Sequence, residues 1–499
     1  MAANNENADR RVVPRWRTFQ QALATNELSA ASIATTPTID VFPFLHEKED
    51  SWLRNKTIPF ALDLVSAATV LGPSKHANAA AEMLLEAKTK INPTARSLAQ
   101  GLLGITEVPI AKEITSPDIL TEISLLKRKR IAQKRNAFVW TDLARLYAAV
   151  GQNESASRAL RVALTLAPSD RFVLRCTTRF LLYDRKPEKA FALLQKSQRT
   201  PEDPWLIAAE IAVSSVLNKP SKFAKLGSQL LKRGDLPPFH TSELASALAS
   251  LEMFSGNDRK ANRLFRSALV DPTDNALAQT IWASKRTGLG NVDISHLEKP
   301  NLNEPRALDY FNRFNWKETV HFAEAWARDE SFSARPRLLA SAIATTFLHE
   351  NKRAEQVARE GLATNPGHPG LINNIAFALV DQGKPLEALQ TIDTVDRDLV
   401  TVNEAICLMA TVGLAYFRLG ETDRGREFYE NAISGAFQNR NEYLRTLARL
   451  YLAREEVRTG TAGAREQFAA VCNDARKLDY TNLPVIADHL TKQIEGSPR

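Results

Sequence analysis

The side chains with the greatest chemical reach in this sequence are cationic. Arg175 and Arg179 stand four residues apart, so a helix puts both on one face, and Arg145 lies in a comparable stretch upstream. A stripe of guanidiniums either forks onto carboxylates or phosphates, or forms a solvated ridge, or pairs with acids on adjacent helices. Lys127, Arg128, Lys129 and Arg130, with Lys134 and Arg135 behind them, make the densest positive cluster. That run can meet nucleic-acid phosphates, act as a nuclear import signal, or stay a solvated face. Few aromatic residues interleave with it, as base stacking would need. Asn373 and Asn374 each carry a donor and an acceptor, suited to holding an extended peptide backbone or to local capping and packing.

Nothing in the sequence assembles a catalytic or metal site. The patterns H-E-x-x-H, G-x-x-x-x-G-K-[ST] and G-x-S-x-G are absent. His321 and Glu324 share a helix face without a third ligand, and His349 and His368 fall near expected turns. Gly288-Leu289-Gly290 lacks a helix opening behind it. Cys176, Cys407 and Cys472 are far apart, each in an apolar helical stretch, and read as small buried hydrophobes in a reducing compartment. No catalytic residue, metal or cofactor is expected.

The elements that position these residues follow from composition and period. A chain of 499 residues exceeds one ordinary core. With 44% hydrophobic residues, 20 Gly and 24 Pro, it is neither disordered nor rich enough in turn formers for an all-β fold. Apolar runs such as Ile207 to Leu217 stop short of a membrane span, and the polar N-terminus lacks the apolar stretch of a secretory signal. The expectation is a cytoplasmic protein with no membrane partner. The net charge of +8 is uneven. Residues 51–200 carry 24 basic against 12 acidic residues, a local +12, which leaves −4 elsewhere. An anionic partner for that third, or a solvated basic face, would explain it.

A period of 34 residues runs through the chain. The clearest unit starts at Ala137, with Trp140, Leu143-Ala144, Tyr147, Gly151, Ala156, Leu160, Ala163 and Pro168. Ala156, Ala190 and Ala224 are spaced by 34, as are Val320, Ala354 and Ala388. Two helices are implied per unit: small residues let them approach, Gly151 closes the first and Pro168 stops the second. This pattern resembles the tetratricopeptide repeat, with Ala for the usual first-helix Gly and Leu for the usual Phe. The resemblance covers roughly residues 56–475, with gaps.

The resemblance implies an all-α, right-handed superhelical solenoid of antiparallel helix pairs, in two stacks. The expected organisation is a partly ordered N-terminal extension (1–55), an array over 56–285, a linker or break at 286–303, and a second array over 304–499 ending in a capping helix. By the same resemblance, Arg145, Arg175, Arg179, Asn373 and Asn374 face a concave groove. The family's carboxylate-clamp set of paired Lys and Asn is not reproduced. The expected function is a non-enzymatic scaffold or adaptor that binds a partner protein, through an acidic segment at the arginine stripe. The alternative is a basic subunit of a nucleic-acid-processing complex, contacting DNA or RNA through residues 51–200.

Overall fold

The computed structural model describes residues 10–25, 41–71, 74–87, 93–103, 119–132, 135–290, 292–297, 302–478, 480 and 482–495. Among the described residues there is helix and short 3-10 turn, and no strand. The hairpin from Ala137 shows how the sequence produces this. The Asn136 side chain accepts from the amides of Phe138 and Val139, which caps the helix Ala137–Ala149. Gly151, at φ +73°, reverses the chain. The helix Asn153–Leu166 then returns, and Ala144 and Ala148 share a core with Ala156, Ala159 and Leu160.

The period has a simple structural origin. Ala156, Ala190, Ala261, Ala354 and Ala388 each stand fourth in the second, outer helix of a hairpin, and each is fully buried. A larger side chain at such a fully buried position would overpack the hairpin. Ala224 does not take this place. The helix Ala224–Arg233 begins there, so its fourth residue is Gly227, while Ala224 is half-buried. A Cβ on Gly227 would lie 2.9 Å from a Leu244 methyl and 3.1 Å from Ile207. Replacing Ala156 with Leu should overpack its hairpin and lower stability by about 1–3 kcal/mol, read by denaturant unfolding.

Turns within hairpins use the left-handed region repeatedly. Gly151, Gly256, Gly383 and Gly420 occupy it, and so do Arg185, Asn218, Phe314 and His349. A side chain there is strained, and Arg185 is exposed, at φ 55°. The change Arg185→Gly should therefore stabilise the protein by about 0.5–1 kcal/mol, visible as a raised Tm.

The first, inner helices of successive hairpins pack side by side: Ala137–Ala149, Arg171–Tyr183, Pro204–Val216, Pro238–Phe254 and Asp274–Thr287, then Arg335–Thr346, Pro369–Asp381, Val402–Leu419 and Glu442–Arg458. The helix Asp274–Thr287 ends on Gly288 at φ +65°, and the next long helix begins at Asn303. In place of an outer helix stands the 3-10 turn Ile294–Leu297, and Val292, Leu297 and Leu302 share a core with Leu277, Ile281 and Trp282. The array bends until its start meets later hairpins. The Tyr183 hydroxyl donates to the Thr364 carbonyl at 2.8 Å, and the Phe332 ring lies 5.5 Å from that of Tyr183. The inner face is thereby enclosed from two sides.

Upstream, the helices Val41–Arg54, Ile58–Leu71, Lys75–Glu86 and Pro93–Leu102 share a core of their own around Trp52, Leu64, Ala80 and Leu84. At the other end the helix Leu483–Glu495 lays Leu483, Ile486, Ala487 and Leu490 on its neighbours. The helix Val402–Leu419 is long and apolar enough, by composition, to cross a membrane, and half of it is buried in the array.

Candidate binding groove

The enclosed inner face is filled by the chain's own N-terminal segment. Residues 10–17, Arg-Arg-Val-Val-Pro-Arg-Trp-Arg, carry no helix or strand. Pro14 supplies no amide donor and disfavours both. The helices of the array hold this segment at its backbone and at its side chains.

The backbone contacts come every third residue. The carbonyl of Arg10 accepts from Gln279 Nε2 at 3.0 Å, that of Val13 from Asn275 Nδ2 at 2.9 Å, and that of Trp16 from Arg145 Nε at 2.9 Å. A spacing of three matches one turn of an extended polyproline-type chain. Side-chain amides and a guanidinium here do what a neighbouring strand would do in a sheet.

The side chains are matched as closely. Arg10 forks onto Glu304 at 3.0 and 3.2 Å, and donates to Gln279 at 2.6 Å and Asn275 at 2.9 Å. Arg15 pairs with Glu304, with Asp274 at 3.0 Å and with Glu330 at 3.0 Å. Arg17 lies 2.6 Å from Asp274. Arg11 donates to Ser215 at 2.7 Å, with its guanidinium 3.7 Å from the centre of the Phe254 ring. Val12 joins Ile207, Ile211 and Leu244 in a core. Trp16 is 1% exposed, 5.7 Å from Phe180 and 5.1 Å from Phe332 between ring centres. Beyond it the Phe19 amide donates to Asp142, and its ring stacks on Phe138 at 4.4 Å.

Two buried carboxylates, Glu304 and Glu330, and the partly buried Asp274 thus face three arginines of one short segment. Burial pushes each carboxyl up. Arg10, Arg15 and Arg335 outweigh that at Glu304, Arg15 and Arg17 at Asp274, and Arg15 and Arg179 at Glu330. All three are held below their ordinary values, Glu304 well below 4.5. A depressed folded-state pKa gives stability that is present above the unfolded value and lost as pH falls through the folded one. Amide protection of residues 10–17 should therefore be flat from about pH 7 to about pH 5, and should collapse only in stronger acid. Hydrogen exchange against pH measures this, and a loss already complete at pH 5 would contradict it.

Of the three arginines read from the sequence as one stripe, Arg145 meets the segment and Arg179 meets an acid that also pairs with it. Arg145, Arg175 and Arg179 are 6%, 3% and 8% exposed, so they are not a solvated ridge. Arg145 donates to the carbonyls of Trp16 and Asp329. Arg175 forks onto Glu243 at 2.9 and 3.1 Å, and Arg179 lies 3.5 Å from Glu330. Two of the three thus meet acids from later repeats, and the segment seated beside them is basic. Asn373 and Asn374 are buried between inner helices. Asn374 donates to the Leu338 carbonyl and to Ser341 Oγ, and Asn373 accepts from Thr411.

The basic cluster lies elsewhere. Lys127, Arg128 and Lys129 are exposed on the helix Ile119–Ala132, Arg130 is half-buried with its guanidinium 5.1 Å from the Trp140 ring, and Arg135 is exposed past the helix end. Lys134 falls outside the described residues. Ile123 packs inward, whereas Leu120 is exposed. Glu324, paired in the sequence with His321, is forked by Arg353 at 2.8 and 2.9 Å. Among the described residues no group of three or more His, Cys, Asp or Glu is placed to hold a metal. Burial pushes the Cys407 thiol up to about 11, away from thiolate chemistry.

Asp274, Glu304, Glu330, Gln279 and Asn275 were not singled out in the sequence, nor was the segment they hold. The available signal was local: four arginines, a proline and a tryptophan within eight residues of an otherwise aperiodic stretch.

No protein-family model matches the chain, and no curated protein matches it. Among solved structures it is similar to yeast Tom70, at 14% identity over 90% of this chain and 96% of that one, with a TM-score of 0.33. It is similar to the Cut9–Hcn1 hetero-tetramer of the APC/C, at 13% identity over 94% and 99%, TM-score 0.42. A third likeness is to the human IFIT1 dimer with PPP-AAAA, at 12% identity over 73% and 96%, TM-score 0.33. By its own hairpins, with a small buried residue fourth in the outer helix and left-handed turns between paired helices, the chain has a fold of the tetratricopeptide-repeat type.

Proposed function

We propose that this chain is a non-enzymatic binding scaffold whose inner groove takes an extended segment of a partner protein. The observation that carries the reading is the seating of residues 10–17, whose carbonyls at every third position meet side-chain donors of the array. Such backbone contacts, with pockets for individual side chains, are the chemistry of peptide recognition. Asn303 lies on the cleft beside Arg17 and Asp329, at the edge of the occupied groove. A photoreactive benzophenone at Asn303 should cross-link to an unstructured segment of a captured protein, mapped by mass spectrometry. One at Arg158, exposed on an outer helix, should not. Equal capture at both positions would reject the groove as the binding surface.

A second reading rests on the exposed Lys127, Arg128 and Lys129. These can add phosphate contacts to a nucleic-acid-bound assembly. In that case retention on immobilised RNA or DNA should fall steeply with salt, and be lost when the three are changed to Glu.

A further inference from the structure

We propose that residues 10–17 are an internal ligand, and that the groove's external ligand is an extended, arginine-rich segment of another protein that displaces them. The inference rests on the scaffold reading and names the ligand class of the same groove. Its basis is the charge of the groove without the segment. Asp274, Glu304 and Glu330 come from the array; the two glutamates are buried and Asp274 is mostly so. The array's own cations among them are Arg335, 2.8 Å from Glu304, and Arg179, 3.5 Å from Glu330. The other ion-pair partners described for these acids, Arg10, Arg15 and Arg17, belong to the segment. Carboxylates in such a site need cations in place to remain charged. An acidic occupant would add charge of the wrong sign, and a neutral one would leave the carboxylates short of partners.

The rest of the site narrows the pattern. Glu304 takes a fork from Arg10 and also meets Arg15, so two guanidiniums five residues apart converge on one carboxylate. The slot between Phe180 and Phe332 takes a flat aromatic next to the second guanidinium. Between them sits a small apolar residue, at the place of Val12. A ligand therefore presents arginine, a β-branched or similar apolar residue two positions on, and a second arginine followed by an aromatic. Because the internal segment is tethered, its effective concentration is in the millimolar range. A partner with the same contacts binds weakly to the intact chain until the internal segment is loosened.

The test uses the full chain and a labelled peptide with the sequence of residues 8–19. Val12→Ala with Trp16→Ala loosens the internal segment and changes no residue of the groove itself. This variant should bind the peptide at least tenfold more tightly than wild type in fluorescence anisotropy. A peptide with its four arginines changed to Glu should not bind. Should the variant fold poorly, hydrogen exchange on the wild-type chain replaces it: about 1 mM peptide should strip protection from the chain's own residues 10–17. The inference is overturned if a folded variant gains no affinity, if the glutamate peptide binds as well, or if the wild-type segment keeps full protection under peptide. A dimer formed by exchange of the segment, without peptide binding, would overturn it in favour of a second copy as occupant. In all these cases the cross-link at Asn303 can still succeed, so failure of the ligand class is separable from failure of the scaffold.

Discussion

Replacing Glu304 with Ala should lower the stability of the groove by about 3–5 kcal/mol and release the N-terminal segment. Glu304 is buried, with its side chain 1% exposed, and its two oxygens serve Arg10, Arg15 and Arg335. Its removal leaves three guanidiniums in a dry site with Asp274 and Glu330 as the remaining acids of the cluster. The cost lies in those uncompensated charges, not in the lost attraction alone. Two further variants separate these terms. Glu304→Gln keeps the shape and an acceptor, and should recover only a small part of the loss. Arg10→Ala combined with Glu304→Ala should be less destabilised than the two single changes summed, because each single change strands a charge that the double change removes. Denaturant unfolding and native-state hydrogen exchange of residues 10–17 are the readouts. Strict additivity, or a loss under about 1 kcal/mol, would mean that the site is wetter than its geometry implies.

The repeat was legible because each unit writes its own local constraint. A turn, a small residue fourth in the outer helix and a stop are all set within 34 residues, as at Gly151, Ala156 and Pro168. Ala224 shows the limit of counting: the period was kept in sequence, but the helix there starts three residues later than the phase requires, and Gly227 took the contact. That Arg145, Arg175 and Arg179 lie on the first helices of their hairpins was legible for the same reason, since it depends on local helix signals within one unit. Their partners were not, because Glu243 lies 68 residues from Arg175 and Asp329 lies 184 from Arg145. The segment was less legible still. Arg10 meets partners 265, 269 and 294 residues away, and Arg15 meets Glu330 at 315. An extended segment bound in a groove has no period of its own, and its contacts exist only once the array has bent far enough to enclose it.

Trp16→Ala is the second large effect, and it tests whether that enclosure depends on the segment. Trp16 stands between Phe180, on an early inner helix, and Phe332, in the connection before Arg335–Thr346. All three are buried in one core, together with Ala144 and Cys176. Deleting the indole removes its transfer free energy and leaves a cavity between two parts of the array that are distant in sequence, a cost of about 3–5 kcal/mol. In a repeat array the loss need not spread evenly. It should concentrate where the array meets itself, so amides of Arg171–Tyr183 and of 330–335 should exchange faster, while those of the C-terminal helices Glu442–Arg458 and Ala464–Lys477 keep their rates. Trp16→Phe should retain much of the wild-type protection, since a ring still fills the slot, whereas an apolar residue of smaller volume should not. If Trp16→Ala instead speeds exchange only within residues 10–17, the array closes through Tyr183–Thr364 and Arg179–Glu330 without help, and the segment is a guest in a preformed groove.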